Sequence, residues 1–259
     1  MADLERVRAL QGRIKQMERT RLDSPGDVPA LATLPGLADA LPGGVLRQGA
    51  TYSVAESLSL VMALLAGPSG SGAWCGVVGI PDFGIEAAAH SGIDLGRLVL
   101  VPRPGVKWLS VTAALADAVS VVVTHPLERV AATDAARLAS RLRQRGSTLI
   151  AFGDWPRPDA RLSVTASRWS GVGRGHGYPS SREVTVAVSD RTELPRTARM
   201  LLPDAGGGIR SAPGAVDRPA PERSPDARYG DVRYEDERYG DARSAVATAS
   251  MLELLEAVG

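Results

Sequence analysis

From about Gly43 to Ser189, short runs of β-branched and aliphatic residues alternate with stretches whose apolar positions recur at helical spacing. ATYSV (Ala50–Val54) precedes an apolar helix reaching Ala66. AWCGVVG (Ala73–Gly79) precedes DFGIEAAAHSG, and RLVLV (Arg97–Val101) precedes a helix in which Trp108, Val111 and Leu115 share a face. VSVVVT (Val119–Thr124) leads into TDAARLASRLRQRG, where Thr133 is placed to cap the N-terminus and Gly146 the C-terminus. STLIAF (Ser147–Phe152) is a fifth strand. Strands this apolar, with no polar alternation, are buried on both faces, so the pattern predicts an α/β core with a mainly parallel sheet flanked by helices.

The period then changes. RLSVTASRW (Arg161–Trp169) and SREVTVAVSD (Ser181–Asp190) alternate like half-exposed strands on either side of a glycine-rich loop, which predicts an antiparallel hairpin extending the sheet. The expected order is an amphipathic helix in 1–22, a Pro/Gly-broken linker in 23–42, the core in 43–190, a disordered Pro/Gly/Arg/Asp-rich linker in 191–243 and a short helix in 244–259. The long linker includes RYGDVRYEDERYGDAR, with Tyr229, Tyr234 and Tyr239 five apart, too short a period for a solenoid. Val7, Leu10, Ile14 and Met17 stripe the first helix, and Met251, Leu254, Leu255 and Val258 the last. Both stripes are candidates for docking a partner or the chain's own core.

Composition narrows this picture mainly by exclusion. A formal net charge of +1 sets up no field that recruits nucleic acid or an anionic membrane. The single cysteine, Cys75, sits in an apolar run and allows no internal disulfide. No stretch approaches the length of a membrane span, and the first residues lack a signal-peptide core, so a cytoplasmic protein is expected. His90, His125 and His176 have no metal-ligand spacing, and no metal or cofactor is expected.

The first strand and helix frame the position of a phosphate loop, which needs GxxxxGK[ST] so that backbone N–H groups, a lysine and a hydroxyl meet the phosphates and magnesium. SVAESLS stands there instead, with no glycine between Gly49 and Gly67 and no lysine between Lys15 and Lys107. The turn is either an ordinary strand–helix connection or a vestigial nucleotide site in which Ser53, Ser57 and Ser59 surround the helix start and Glu56 repels an anion. A magnesium-organising acid is also missing at the end of VSVVVT, where Thr124 is followed by His125 and Pro126, with Glu128 a displaced alternative. No catalytic residue is therefore predicted. The hairpin loop SRWSGVGRGHGYPSSR gathers Arg168, Trp169, Arg174, His176 and Arg182, basic groups beside aromatics that suit single-stranded DNA or a protein partner.

LPGGVLRQGATYSVAESLSLVMALLAG together with WCGVVGIPDFGIEAAAHSGIDLGRLVLVPRPG resembles the RecA core. GSGAWCGVVGIPDFG, LVLVPRPG and RLSVTASRWSGVGRGHG together resemble the actinobacterial ImuA′ proteins, RecA-like members of the ImuA group. The resemblance covers about Leu41 to Ser189, and the preference for arginine over lysine suits a high-GC actinobacterium. It implies a RecA-like fold and an accessory role in DNA-damage-induced (SOS) mutagenesis and translesion synthesis. Its implied partners are ImuB, an inactive Y-family polymerase relative, and an error-prone C-family polymerase subunit, with RecA as a further candidate. It supplies no catalytic residue. It maps the lost nucleotide site onto Ser53 to Ser59 and the lost acid onto Thr124. Two other readings share the degenerate loop: a SulA-like division inhibitor that binds FtsZ, and a single-stranded DNA-binding module.

Overall fold

The computed structural model describes residues 30–171, 178–190 and 195–212. The stripes at Val7, Leu10, Ile14 and Met17 and at Met251, Leu254, Leu255 and Val258 lie outside these residues, as do Arg174 and His176.

The apolar runs become the strands β3 (Thr51–Val54), β4 (Cys75–Val78), β5 (Leu98–Val101), β6 (Val121–Thr124) and β7 (Thr148–Phe152). After them come β8 (Ala160–Ser170), β9 (Ser181–Asp190), β10 (Arg196–Leu201) and β11 (Arg210–Ser211). These nine strands form one sheet in the order β11-β10-β9-β8-β3-β7-β6-β4-β5. The strands from β8 to β5 in that order pair in parallel, whereas β9, β10 and β11 are added antiparallel. This is the α/β architecture, a mainly parallel sheet flanked by helices with an antiparallel extension, that the sequence led us to expect.

Helices cover the parallel part on both faces. Tyr52, Val54, Cys75, Val77 and Ile150 pack beneath α2 (Leu58–Gly70), in which every residue from Leu60 to Ala66 is buried. On the other face Val78, Val122, Leu149 and Ala151 pack against α4 (Trp108–Ala118) and α5 (Ala132–Arg145). Here α1 is Pro35–Ala38 and α3 is Ile85–His90. Gly146 closes α5 in the left-handed conformation at φ 68°, as its position predicted. Thr133 does not cap that helix: the N-cap is Ala131, which makes no side-chain cap bond.

The ordered core is wider than 43–190. In the expected 23–42 linker, β1 (Ala30–Leu31) pairs with β2 (Leu46–Arg47), Pro35 opens α1, and Leu31, Leu37, Ala40 and Leu41 are buried. The prolines punctuate short packed elements there, which composition cannot distinguish from a loose linker. In the expected 191–243 linker, Ala198 and Met200 alternate into the core from β10. The glycine-rich turn before β11 is held by buried Asp204, whose Oδ1 accepts from the N–H groups of Gly206 (2.8 Å) and Gly208 (2.9 Å) and which pairs with Arg210 at 2.6 Å. A single carboxylate thus orders a segment whose composition suggests disorder. The first helix of the core also runs past Ala66, through Gly67 and Pro68 to Gly70.

Candidate functional site

The connection from β3 to α2 is three residues, Ala55, Glu56 and Ser57. A phosphate-cradling loop spans about eight positions. Two of the three residues in the short turn, Ala55 and Ser57, have a local role. The N–H of Ala55 donates to Leu162 O at 2.9 Å, which ties the turn to β8. Ser57 is the N-cap, its Oγ accepting from Leu60 N at 3.3 Å and lying 3.3 Å from Ser59 Oγ. Glu56 projects into solvent with a left-handed φ of 45°, an unfavourable conformation for a side chain of that size.

Ser53 does not face α2. Tyr52 and Val54 take that face, so strand alternation turns Ser53 to the other side, where its Oγ donates to Gly153 O at 2.8 Å. Thr124 is fully buried, and its Oγ1 lies 3.0 Å from Thr112 Oγ1 on α4; Thr112 in turn donates to Trp108 O at 2.8 Å. Ser53 and Thr124 sit either side of Ala151 in one row of the sheet, about 10 Å apart at two strand spacings. The structure therefore brings Ser57 and Ser59 together, sets Ser53 and Thr124 in one row, and gives all four hydroxyls hydrogen-bond partners within the protein.

Two depressions flank this turn. One, of about 960 Å³, opens at the C-terminal ends of β6 and β7, where open α/β sheets bind ligands. His125 tilts against Phe152 in its wall with ring centroids 5.3 Å apart, and Trp155 is buried behind them. Its acids, Glu128 and Asp154, match its arginines, Arg129 and Arg161, so the lining carries no net charge apart from His125. Arg161 fixes the rim by donating to Asp154 (3.4 Å) and to Trp155 O (3.2 Å). The second depression, about 390 Å³, lies between Ser59 and Met62 of α2, Glu86 and His90 of α3, and the β10–β11 turn. There His90 Nδ1 is 2.8 Å from Glu86 O.

Sequence reasoning singled out His125 and Glu128 but not Phe152, Asp154, Trp155 or Arg161. They come together because β6 and β7 are neighbours, which no local pattern records. Among the described residues no cluster of His, Cys, Asp and Glu has the makings of a metal site. Burial pushes the thiol of Cys75 up to about 12. Among the described residues no helix is long and apolar enough to cross a membrane.

The hairpin residues divide between two faces. Trp169 stands opposite Arg182 on one face and Arg168 opposite Glu183 on the other.

Fold and turn together define an α/β protein with a mainly parallel sheet, whose strand β3 and helix α2 are joined by a capped three-residue turn. Residues 39–157 match the family model of the MT3502 N-terminal domain, a span that holds β2 to β7 and stops before β8. The uncharacterised protein Rv3395c of Mycobacterium tuberculosis (strain ATCC 25618 / H37Rv) is 34% identical over 130 residues. That alignment takes in 49% of this chain and 64% of the relative, so the chain spans just under two thirds of the relative's length. The crystal structure of the flagellar accessory protein FlaH from Methanocaldococcus jannaschii superposes with a TM-score of 0.41 at 10% identity, covering 66% of this chain and 92% of FlaH.

Proposed function

We propose that this chain is a non-catalytic RecA-like scaffold of DNA-damage-induced mutagenesis, acting in the cytoplasm and docking with ImuB and an error-prone C-family polymerase subunit. The observation that carries the non-catalytic part is the β3–α2 turn: three residues long, with the Ser57 hydroxyl committed to capping α2, it has neither the length nor the free groups to cradle a triphosphate. Thr124 supports it, because the strand-end position that would hold a magnesium-binding acid is locked to Thr112 in the core. The partner assignment rests on the resemblance of GSGAWCGVVGIPDFG, LVLVPRPG and RLSVTASRWSGVGRGHG to ImuA′ proteins. The match to a mycobacterial protein agrees with an actinobacterial setting. With no nucleotide to favour one state over another, the surfaces are fixed, as permanent docking requires.

The test is a pull-down of tagged full-length protein from mitomycin-treated cells of the source organism, read by mass spectrometry, beside an ATPase assay. Recovery of ImuB or the error-prone polymerase, with no hydrolysis above a no-protein blank, is the expected result. Recovery of FtsZ without any polymerase component would overturn the partner assignment. ATP hydrolysis that disappears in Ser57→Ala would overturn the non-catalytic reading.

A further inference from the structure

β8 and β9, of eleven and ten residues, are the longest strands of the sheet. β3 accompanies β8 only as far as Leu162. Beyond that point one edge of β8 pairs with no strand among the described residues, while the other continues along β9 to Ser170. A register shift between Val164 and Ala166 interrupts the β8–β9 pairing just past that point, and such bulges sharpen the local twist, while β9 itself stays paired with β10 as far as Glu183. From Thr165 to Ser170 every residue is exposed, so neither face of this segment is covered. Six residues at about 3.3 Å each make an exposed sheet edge of roughly 20 Å.

The side chains on this edge are unlike those of a protein-binding surface. Thr165, Ser167 and Ser170 supply hydroxyls, and Ala166 is the only aliphatic residue in the exposed run. The apolar cluster that forms the centre of a protein interface is missing from this segment. Trp169 is half exposed at 51%, and Tyr178, on the returning chain, is 90% exposed. The Arg182 guanidinium lies 5.8 Å from the centre of the Trp169 ring and is steadied by donation from Nε to Ser167 Oγ at 2.8 Å. Arg168 projects from the opposite face. The acid across from it, Glu183, is already paired with Arg199, whose Nε donates to it at 2.7 Å. The edge thus offers a half-exposed indole, a fixed guanidinium over one side of it and a second arginine on the far face.

We infer that the distal half of the β8–β9 ribbon grips single-stranded nucleic acid, with Trp169 as the stacking platform and Arg168 and Arg182 as phosphate contacts. An unpaired base stacks on an indole whatever its identity, and arginine neutralises the backbone, so binding is sequence-tolerant and salt-sensitive. Duplex DNA buries its base faces and cannot use the indole. The inference is independent of the docking reading, and neither experiment decides the other.

The test is fluorescence anisotropy of labelled oligo(dT) with the full-length chain at low and high salt. The wild type should bind at low salt, and Trp169→Ala should weaken binding on the order of tenfold. Trp169→Phe, which keeps an aromatic face, should retain most of the affinity while losing the tryptophan quenching that accompanies stacking. Arg168→Ala and Arg182→Ala should each lower the slope of log affinity against log salt by about 0.7. Of the three side chains changed in these variants, Arg168 and Trp169 are exposed and Arg182 is partly exposed, and unchanged melting curves confirm intact folding. No binding by the wild type at low salt overturns the inference. So does binding that survives Trp169→Ala combined with both arginine changes, or equal affinity for a duplex of the same length.

Discussion

Gly67 lies in the third turn of α2, where helix propensity alone says that alanine is better by about 1 kcal/mol. The structure reverses the sign. A Cβ built there meets Ala32 O at 2.5 Å, Ala32 C at 3.0 Å and Thr33 Cα at 3.0 Å, all of them backbone atoms. The segment cannot slide away without losing its anchors: Leu46 N donates to Thr33 Oγ1 at 3.0 Å, β1 pairs with β2, and Leu31 and Leu37 are buried beside them. Overpacking of this kind costs about 1–3 kcal/mol even after relaxation, and lifting Leu31 into water adds about 1.5–3 kcal/mol. Set against the propensity gain, Gly67→Ala should destabilise the core by about 1–3 kcal/mol, or roughly 2–4 °C of Tm per kcal/mol at this size. Gly70 is the internal control, since a Cβ there finds its nearest atom, Gly92 O, at 3.9 Å. Urea melts of both variants, with subtilisin cleavage around Leu31 to Leu37 as a local readout, check the reasoning. A Gly67→Ala protein as stable as Gly70→Ala, with no new cleavage, would show that the close crossing at Ala32 does not exist.

Further expectations follow from the buried and paired groups. Thr124→Val should cost only about 1 kcal/mol, because Thr112 keeps its bond to Trp108 O, whereas Thr124→Asp puts a carboxylate at a fully buried position and should cost about 3 kcal/mol or more; urea midpoints separate the two. The Cys75 thiol, raised to about 12 by burial from an ordinary 9.0, should resist aromatic disulfide reagents until the protein unfolds. The unfolded chain releases that proton first, so Cys75→Ser should flatten the loss of stability as pH rises from 9.0 toward 12. Asp117 on α4 is held below its ordinary 3.8 chiefly by its bond from Arg141 on α5, so its contribution is present above that value and lost as pH falls through the lowered one. The Tm gap between wild type and Asp117→Asn should accordingly narrow in acid.

The apolar strands were legible because each is buried on both faces and short, which leaves an uninterrupted run of Val, Ile and Leu with no competing period. The hairpin was legible from the change to period two, and Ser181–Asp190 is the strand as the alternation drew it. What failed was reading composition as order. DALP and DAGGG carry the residues of a linker, yet Ala40 and Leu41 are buried and Asp204 pins its turn with two backbone N–H bonds. Three-dimensional adjacency was beyond reach. The cavity at His125 and Phe152 exists because β7 inserts between β3 and β6, a pairing across residues far apart in the chain. Ser53 is different, since its orientation was already in the pattern: Tyr52 and Val54 are the large apolar neighbours that claim the α2 face, and alternation sends the serine the other way.

The same parity bears on what it would take to turn this fold into a nucleotide-binding enzyme. Val122 and Thr124 share the face that packs under α4, so an acid at Thr124 would point at Thr112 and not into the crevice; His125, one residue later, is the one that lines the cavity. At the other half of the site, a three-residue turn would have to grow by about five residues and surrender the Ser57 cap, at a cost of about 1 kcal/mol to α2. Restoring a lysine or an acid by point substitution therefore rebuilds neither half. On the proposed reading this is why the chain is a scaffold and not an enzyme with a weakened site. The groups at the strand ends hold the sheet, α2 and α4 in one arrangement, and a surface held in one arrangement is what the proposed docking role needs.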